Sequence, residues 1–185
     1  YLSDPYKGVL KSVEILPDFF LPIFFPENRP RSREKWIFFS EVIRDFDKLN
    51  ASMQASYRYF SDDAGIDSHT FTLEWFQKLS EKVIIKPIYR YYKQSAADFY
   101  FYDLDQTGII PDRGLRGTGP YYSSDHRLSK LETHTYGLKL IWFITDDLEF
   151  NAKFNRYEMS GLDGNTHPSA YSDADVFTIG GRWWF

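Results

Sequence analysis

Apolar and polar residues alternate with a period of two along much of this chain, a pattern that predicts half-buried β-strands rather than helices. Between positions 148 and 155, for example, apolar residues take the even positions and polar residues take the odd ones. The alternation predicts seven strands, at 36–46, 51–60, 69–79, 83–94, 131–144, 148–157 and 175–185. Residues 9–16 form a weaker eighth candidate.

The alternation in the segment 36–46 is less regular and leaves two phases open. We assign Trp36 and Phe38 to the outer face because that phase turns Glu41 inward. The opposite phase is the alternative.

The connections between the predicted strands alternate in length. Some have only a few residues (47–50, 80–82 and 145–147), and the others are longer and rich in Gly, Asp, Ser and Pro (61–68, 95–129 and 160–174). Short turns at one end of a sheet and long loops at the other are typical of transmembrane β-barrels. We therefore expect the short turns to face the periplasm and residues 1–35 and 95–129 to be extracellular loops.

Strand length and the placement of aromatic rings favour a membrane barrel over a soluble sandwich. The predicted strands, of about 10–14 residues, exceed the usual length of about 5–6 and match the length needed to cross a bilayer. Aromatic residues make up 19% of the chain and cluster toward strand ends, as in the girdles of outer-membrane barrels. Residues 1–185 are thus predicted to form a single all-β domain with about seven to eight strands. Its fold would be a transmembrane antiparallel up-and-down β-barrel, or the C-terminal part of a larger one.

The C-terminal segment DVFTIGGRWWF resembles the last strand of bacterial outer-membrane proteins, in which a final aromatic residue follows apolar residues at alternate positions. The matching residues are Phe177, Ile179, Trp183 and Phe185, and Gly181 is a departure from the pattern. The resemblance implies that these residues form the signal read by the barrel assembly machinery. It also implies a location in the outer membrane of a Gram-negative bacterium.

A second resemblance covers most of the chain and is carried by four stretches: YLSDPYK (1–7), PENRPRSR (26–33), YRYFSDDAGIDSHTFTLEWFQ (57–77) and YRYYKQSAADFY (89–100). They resemble the C-terminal half of a bacterial family described only as a domain of unknown function and expected to form outer-membrane barrels. Full members are longer, so the resemblance implies that several N-terminal strands are missing here. The seven predicted strands agree with this, since bacterial single-chain barrels normally have an even number.

Composition excludes several classes of function. The chain has no cysteine, which rules out disulfides, thiolate metal sites and haem attachment through cysteine. Its net charge of −4 gives no basic footprint for nucleic acid. The longest apolar run, residues 19–25, is far shorter than a transmembrane helix.

Charged residues of the predicted strands are assigned to the barrel lumen, because a charge on the lipid face costs roughly 2–4 kcal/mol at the bilayer midplane. The predicted lumen-lining residues are Glu41, Arg58, Glu74, Lys86, Arg90, Lys139, Glu149, Lys153 and Arg182. Six bases against three acids would bias a water-filled lumen mildly toward anions. Pairing of these charges across a narrow barrel would instead plug it, and the sequence leaves both outcomes open.

Few residues point to catalysis or metal binding. His69 and His134 have the parity of outward-facing residues, which predicts histidines at the extracellular rim rather than a lumen site. Residues 103–108 imitate the start of an EF-hand calcium loop, but Gly114 replaces the glutamate of the twelfth position, so we expect a simple turn. The acidic cluster at 62–67 is expected to be a solvated turn. We assign no catalytic residue, no metal site and no cofactor.

The leading hypothesis is a non-enzymatic, porin-like outer-membrane barrel that acts as a pore or as a structural component of an envelope complex. Its expected partners are outer-membrane lipid, the barrel assembly machinery and, through the long loops, other envelope proteins. One alternative is a barrel enzyme with a site at the rim, where His69, His134 and loop acids would meet. The other alternative is a soluble β-barrel with its apolar face around a ligand.

Overall fold

The computed structural model describes residues 8–111 and 117–185, and this part of the chain is built from strands joined by turns and loops. The strands are β1 (Gly8–Leu16), β2 (Phe19–Pro26), β3 (Lys35–Phe46), β4 (Ala51–Asp62), β5 (Asp67–Ser80), β6 (Val83–Gln94), β7 (Leu131–Thr145), β8 (Leu148–Gly161) and β9 (Ala174–Trp183). Short 3₁₀ helices lie in the connections, at Asp47–Leu49, His126–Leu128 and Pro168–Ala170. Within the described ranges, no helix has the length and apolar character that crossing a bilayer requires.

Strands β3 to β9 form one antiparallel sheet in which each strand pairs with the next one in the chain. All seven strongly predicted strands are present, and the predicted all-β antiparallel up-and-down order is confirmed. The sheet does not close on itself within residues 8–111 and 117–185, because β3 and β9 stand at its opposite edges. A closed barrel is therefore not formed by the described strands.

The connections confirm the predicted asymmetry with one exception. At one end of the large sheet, named here the turn end, they are short, and at the other, named the loop end, two are long: 95–130 and 162–173. The predicted long loop at 61–68 is wrong, because only residues 63–66 separate β4 from β5.

The turn at 63–66 is short because Asp62 organises it. The Asp62 carboxylate accepts hydrogen bonds from the backbone N–H groups of Ala64 and Ile66, at 3.0 Å each. The Asp62 side chain is fully buried. The expectation of a solvated acidic turn is therefore wrong for this residue, which acts as the internal acceptor that a tight turn needs.

Residues 9–16 do form a strand, but its partner is β2 rather than the large sheet. The expected loop over residues 1–35 therefore contains a β-hairpin, which turns at Asp18 with a φ of 65°. The hairpin packs on the long loop 95–130, and together they form a small core of Val9, Leu104 and Tyr122. A second small core lies under the same loop and comprises Ile66, Ala97 and Leu128.

The hydrogen-bond register sorts the side chains of the large sheet into two faces, because directly opposed residues share a face. One such row of opposed residues runs from Arg58 through Thr70, Tyr92 and Thr133 to Met159. The face that contains this row, named here the charged face, holds all nine residues predicted to line a lumen: Glu41, Arg58, Glu74, Lys86, Arg90, Lys139, Glu149, Lys153 and Arg182. That this face lines a lumen stays a prediction.

The opposite face, named here the apolar face, is the more exposed of the two. In β7 its residues Tyr136, Leu138 and Trp142 are 48%, 52% and 46% exposed, whereas Leu131 and Thr133 on the charged face are buried. A soluble antiparallel sheet buries its apolar side and exposes its polar side. The sheet of this protein has the reverse arrangement.

The predicted assembly signal lies at the exposed C-terminal edge of the sheet. Phe177, Ile179 and Trp183 are on the apolar face of β9 and are 77%, 75% and 70% exposed. Phe185 follows the end of the strand and is fully exposed. Whether these residues are read by an assembly machinery stays a prediction.

Candidate functional site

A cavity of about 740 Å³ opens between the loop end of the charged face and the segments that fold over it. We name it the basic cavity. Its polar lining comes from the strands (Lys35, Arg58, Ser68, Tyr92 and Gln94) and from the covering segments (Glu27, Arg29, Arg33, Asp125 and Arg127). Five of these side chains are cationic and only two are carboxylates, so the cavity has a surplus of positive charge.

Strand register places the strand side of the basic cavity. Arg58, Thr70 and Tyr92 oppose one another on three neighbouring strands, and Gln94 lies two residues beyond Tyr92 on the same face. The Gln94 amide donates to the backbone oxygens of Arg127 and Ser129, at 2.9 and 2.8 Å. Through these bonds the long loop 95–130 is held across the charged face.

A buried ion cluster fastens the two covering segments to each other. The Arg29 guanidinium donates to Glu27 at 2.7 Å and to Asp125 at 2.9 Å. The three side chains are only 5%, 0% and 1% exposed. Glu27 also accepts a hydrogen bond from Ser123 Oγ, at 2.7 Å. Such a buried cluster is stable only while every charge keeps its partner.

The remaining cations of the cavity differ in their pairing. Arg127 Nη2 forms an ion pair with Asp125 Oδ2 at 2.6 Å, and Arg33 forms an ion pair with the buried Asp62. Arg58 lies over the Phe60 ring, 5.5 Å from its centroid. No salt bridge among the described residues involves Arg58 or Lys35. These two side chains therefore supply the surplus charge.

A second cavity of about 380 Å³ continues along the charged face toward β8. It shares Tyr92, Gln94 and Arg127 with the basic cavity, and its further lining includes Arg90 and Tyr157. The two cavities together follow the charged face.

Three lysines oppose one another farther toward the turn end of the charged face. Lys86, Lys139 and Lys153 form one row across β6, β7 and β8. Lys86 pairs with Glu74 at 2.8 Å, but no salt bridge in the described part of the chain involves the other two lysines. Opposed like charges destabilise a dry sheet, so this row is consistent with a hydrated surface.

The other acids of the predicted lumen set bind neutral partners. Glu41 accepts from the Gln54 amide at 2.7 Å, and Glu149 accepts from the Asn151 amide at 3.1 Å. The charges of the set are thus only partly paired with one another.

The two strand histidines are held apart from each other, each in its own tyrosine cluster on the apolar face. His69 Nδ1 lies 2.7 Å from Tyr57 Oη, and its ring packs beside Tyr59 with centroids 5.2 Å apart. The Tyr59 hydroxyl donates to Asp67 at 2.8 Å.

The second cluster repeats the first on the next pair of strands. His134 Nδ1 lies 3.0 Å from Tyr89 Oη, its ring is 5.1 Å from that of Tyr91, and the Tyr91 hydroxyl donates to Glu132 at 3.0 Å. The repeated tripeptide Tyr-Arg-Tyr, at 57–59 and 89–91, is a sequence signal for this duplication. His69 lies on β5 and His134 on β7, so β6 separates the two histidines, and an enzyme site at the rim stays an alternative.

The calcium-like segment is a turn fixed by its own carboxylates. Asp103 accepts a hydrogen bond from the backbone N–H of Asp105, at 3.1 Å. The Asp105 carboxylate in turn accepts from the hydroxyl and the backbone N–H of Ser12, at 2.7 and 2.6 Å, and these bonds lower the pKa of Asp105. Gly114, the twelfth position of the compared loop, lies outside the described residues. Within those residues no group of three or more His, Asp or Glu side chains is placed to hold a metal ion.

A hydrogen-bonded chain connects the two long loops. The hydroxyls of Tyr100 and Thr166 form a hydrogen bond, and Thr166 Oγ1 donates to Asp163 at 2.5 Å. Burial raises the pKa of Tyr100 to about 12. At Asp163, burial opposes ionisation, but the bonds from Thr166 and Asn165 outweigh it and lower the pKa.

The chain has no significant match among curated proteins or among solved structures. One family model, described as a protein of unknown function (DUF3570), matches residues 1–177. This match spans both cores, the basic cavity and nearly all of the large sheet. The chain therefore belongs to the DUF3570 family, whose function is unknown.

Proposed function

We propose that this chain is part of an integral outer-membrane β-barrel of a Gram-negative bacterium and that its charged face lines a water-filled, anion-favouring pore. In the membrane the edge strands β3 and β9 pair with further strands, because hydrocarbon offers no water to unpaired backbone groups. The large sheet is then one arc of the barrel wall.

The observation that carries this proposal is the exposure of the apolar face. Leu138, Phe154 and Phe177 are opposed on three successive strands and are 52%, 38% and 77% exposed. A continuous exposed apolar band of this kind is unfavourable in water and suits acyl chains. It also argues against the soluble ligand-binding barrel, which requires the apolar face to be the enclosed one.

The charged face supports a pore rather than a plug. Two cavities follow it. Cations that have no carboxylate partner among the described residues occur in the basic cavity, at Arg58 and Lys35, and in the row of Lys139 and Lys153. Fixed positive charges along a narrow aqueous path raise the local concentration of anions. We therefore expect an anion preference.

The separation of the two histidine clusters weighs against an enzyme at the rim. A second candidate function, a structural component of an envelope complex, is favoured by the folding of the long loop across the charged face through Gln94. A measurement of ion conductance distinguishes the pore from the structural component.

The test uses the full-length protein, purified in detergent and shown to be folded by heat-modifiable gel migration. In planar bilayers with a KCl gradient we expect channels with a reversal potential that indicates anion preference. The double variant Lys139→Gln/Lys153→Gln should lose part of that preference. The control Lys93→Gln removes an exposed cation from the apolar face and should not change it.

Two outcomes contradict the proposal. A folded protein that never conducts has an occluded lumen, and the structural role in an envelope complex is then the remaining candidate. Cation-selective channels would show that the charged face does not set the field in the pore.

A further inference from the structure

We infer that the basic cavity is a binding site for an organic oxyanion, a small molecule with two or more carboxylate or phosphate groups. This inference deepens the proposed function by naming the solute class that the pore selects, but the site itself consists of residues that the structure places together. Its volume of about 740 Å³ lies within the usual range of small-molecule sites.

The charges of the cavity identify the sign of the ligand. Arg29 is neutralised by Glu27 and Asp125, and Arg33 by Asp62. Arg58 and Lys35 have no carboxylate partner in the described part of the chain. Uncompensated cations in a partly enclosed cavity favour an anionic occupant.

The positions of the cations indicate more than one anionic group on the ligand. Arg58 and Lys35, the two cations without a carboxylate partner among the described residues, lie apart on neighbouring strands, because Lys35 opposes Asp62, four residues along β4 from Arg58. Arginine forks bind carboxylate and phosphate groups with two parallel hydrogen bonds. A ligand that binds both cations at once therefore needs two anionic groups.

The floor and wall of the cavity support a carbon skeleton between those groups. Phe60, Ile66 and Leu128 contribute apolar lining beside the cations. Ser68 and Tyr92 add hydroxyl groups to the same lining.

The test is isothermal titration of the full-length protein in detergent with citrate and with pyrophosphate, which carry several anionic groups, and with acetate, which carries one. We expect saturable binding of citrate or pyrophosphate with one site per chain, and at least tenfold weaker binding of acetate. Arg58→Gln and Lys35→Gln should each weaken the binding by roughly tenfold, the loss typical of a charge-assisted hydrogen bond.

Two further variants keep the result interpretable. Lys93→Gln removes one positive charge from the apolar face and should leave the affinity unchanged. Arg58→Lys retains the charge and should bind more tightly than Arg58→Gln, and each variant is first checked for folding by heat-modifiable migration.

The inference is overturned if neither citrate nor pyrophosphate saturates a site, if acetate binds as well as they do, or if Lys93→Gln weakens binding as much as Arg58→Gln. Failure of the pore proposal looks different. Saturable binding without conductance retains the site and removes the pore, whereas anion-selective conductance without saturable binding retains the pore and removes the site.

Discussion

The buried cluster of Arg29, Glu27 and Asp125 makes a quantitative prediction about how the loop is held over the charged face. Replacing Arg29 by leucine leaves two carboxylates with side chains 0% and 1% exposed and removes their shared cation. Loss of one partner from a buried ion cluster costs about 3–5 kcal/mol. We expect this cost to appear as easier detachment of the covering segments rather than as unfolding of the large sheet, because no strand pairing of that sheet involves these residues.

Native-state hydrogen exchange measures this detachment directly. The backbone N–H groups of Asn28 and Tyr122 donate to each other's carbonyl oxygens, at 2.9 and 2.8 Å, and join the two covering segments. A loss of about 3–5 kcal/mol should accelerate their exchange by roughly 10²- to 10⁴-fold, since each 1.4 kcal/mol is a factor of ten.

Arg127 provides a matched control because it binds the same carboxylate, Asp125, at 2.6 Å from a side chain that is 64% exposed. The Arg127 guanidinium is largely in water, and the buried Asp125 keeps Arg29 as a partner when Arg127 is removed, so Arg127→Gln should accelerate the exchange clearly less than Arg29→Leu. Equal effects of Arg29→Leu and Arg127→Gln, or unchanged exchange in Arg29→Leu, would refute the assignment of this cluster as the fastening point.

Three further predictions concern the membrane face and the loops. Leu138→Arg places a charge on the apolar face and should lower the free energy of unfolding in lipid vesicles by about 2–4 kcal/mol, measured by urea titration. Ile141→Arg, on the charged face, should lower it clearly less. Equal losses in the two variants would contradict the assigned faces. The pKa of Asp105 is lowered by its bonds from Ser12, so the contact is fully present above the usual carboxylate pKa of 3.8 and is lost as pH falls through the lowered value. Exchange of the Ser12 N–H should therefore rise on acidification, and Asp105→Asn should abolish that dependence. Burial raises the pKa of Tyr100 to about 12, so its contribution to loop stability is present below pH 10 and is lost as pH rises toward 12. The ultraviolet titration of Tyr100→Phe should lack one phenolate step near pH 12, and loss of a step near pH 10 instead would contradict the assigned burial.

The sequence predicted the large sheet well because alternation records which face each residue takes. The strands β4 to β9 have one apolar and one mixed face, and that contrast is visible without a structure. Alternation does not predict the hairpin strand β2, because its run FFLPIFF is apolar on both faces and contains a proline. Its partner β1 shows only a weak alternation.

Parity predicts which charged residues share a face, but it does not predict the basic cavity, and the lumen-lining role of that face stays a prediction. Parity alone places Arg58 and Arg90 on the charged face, and the register agrees. The covering residues come from segments without any period, and the contact between Arg29 and Asp125 joins positions 96 residues apart in the chain. Such a contact depends on tertiary folding. The stretch PENRPRSR, dense in arginine between two strands, is a local sequence signal for such a cluster.

Strand β3 shows why its phase was ambiguous and what its surroundings must supply. Glu41 opposes Ser56, two residues from Arg58, so the register puts Glu41 on the charged face. Yet Ile37 and Phe39 share that face and are 51% and 57% exposed, so both faces of β3 are apolar and alternation cannot choose between them. An edge strand with apolar residues on both faces is a strong template for pairing with another strand. In the proposed barrel, β3 is therefore the point at which the wall must continue, and the residues that pack against its inner face must be at least partly apolar.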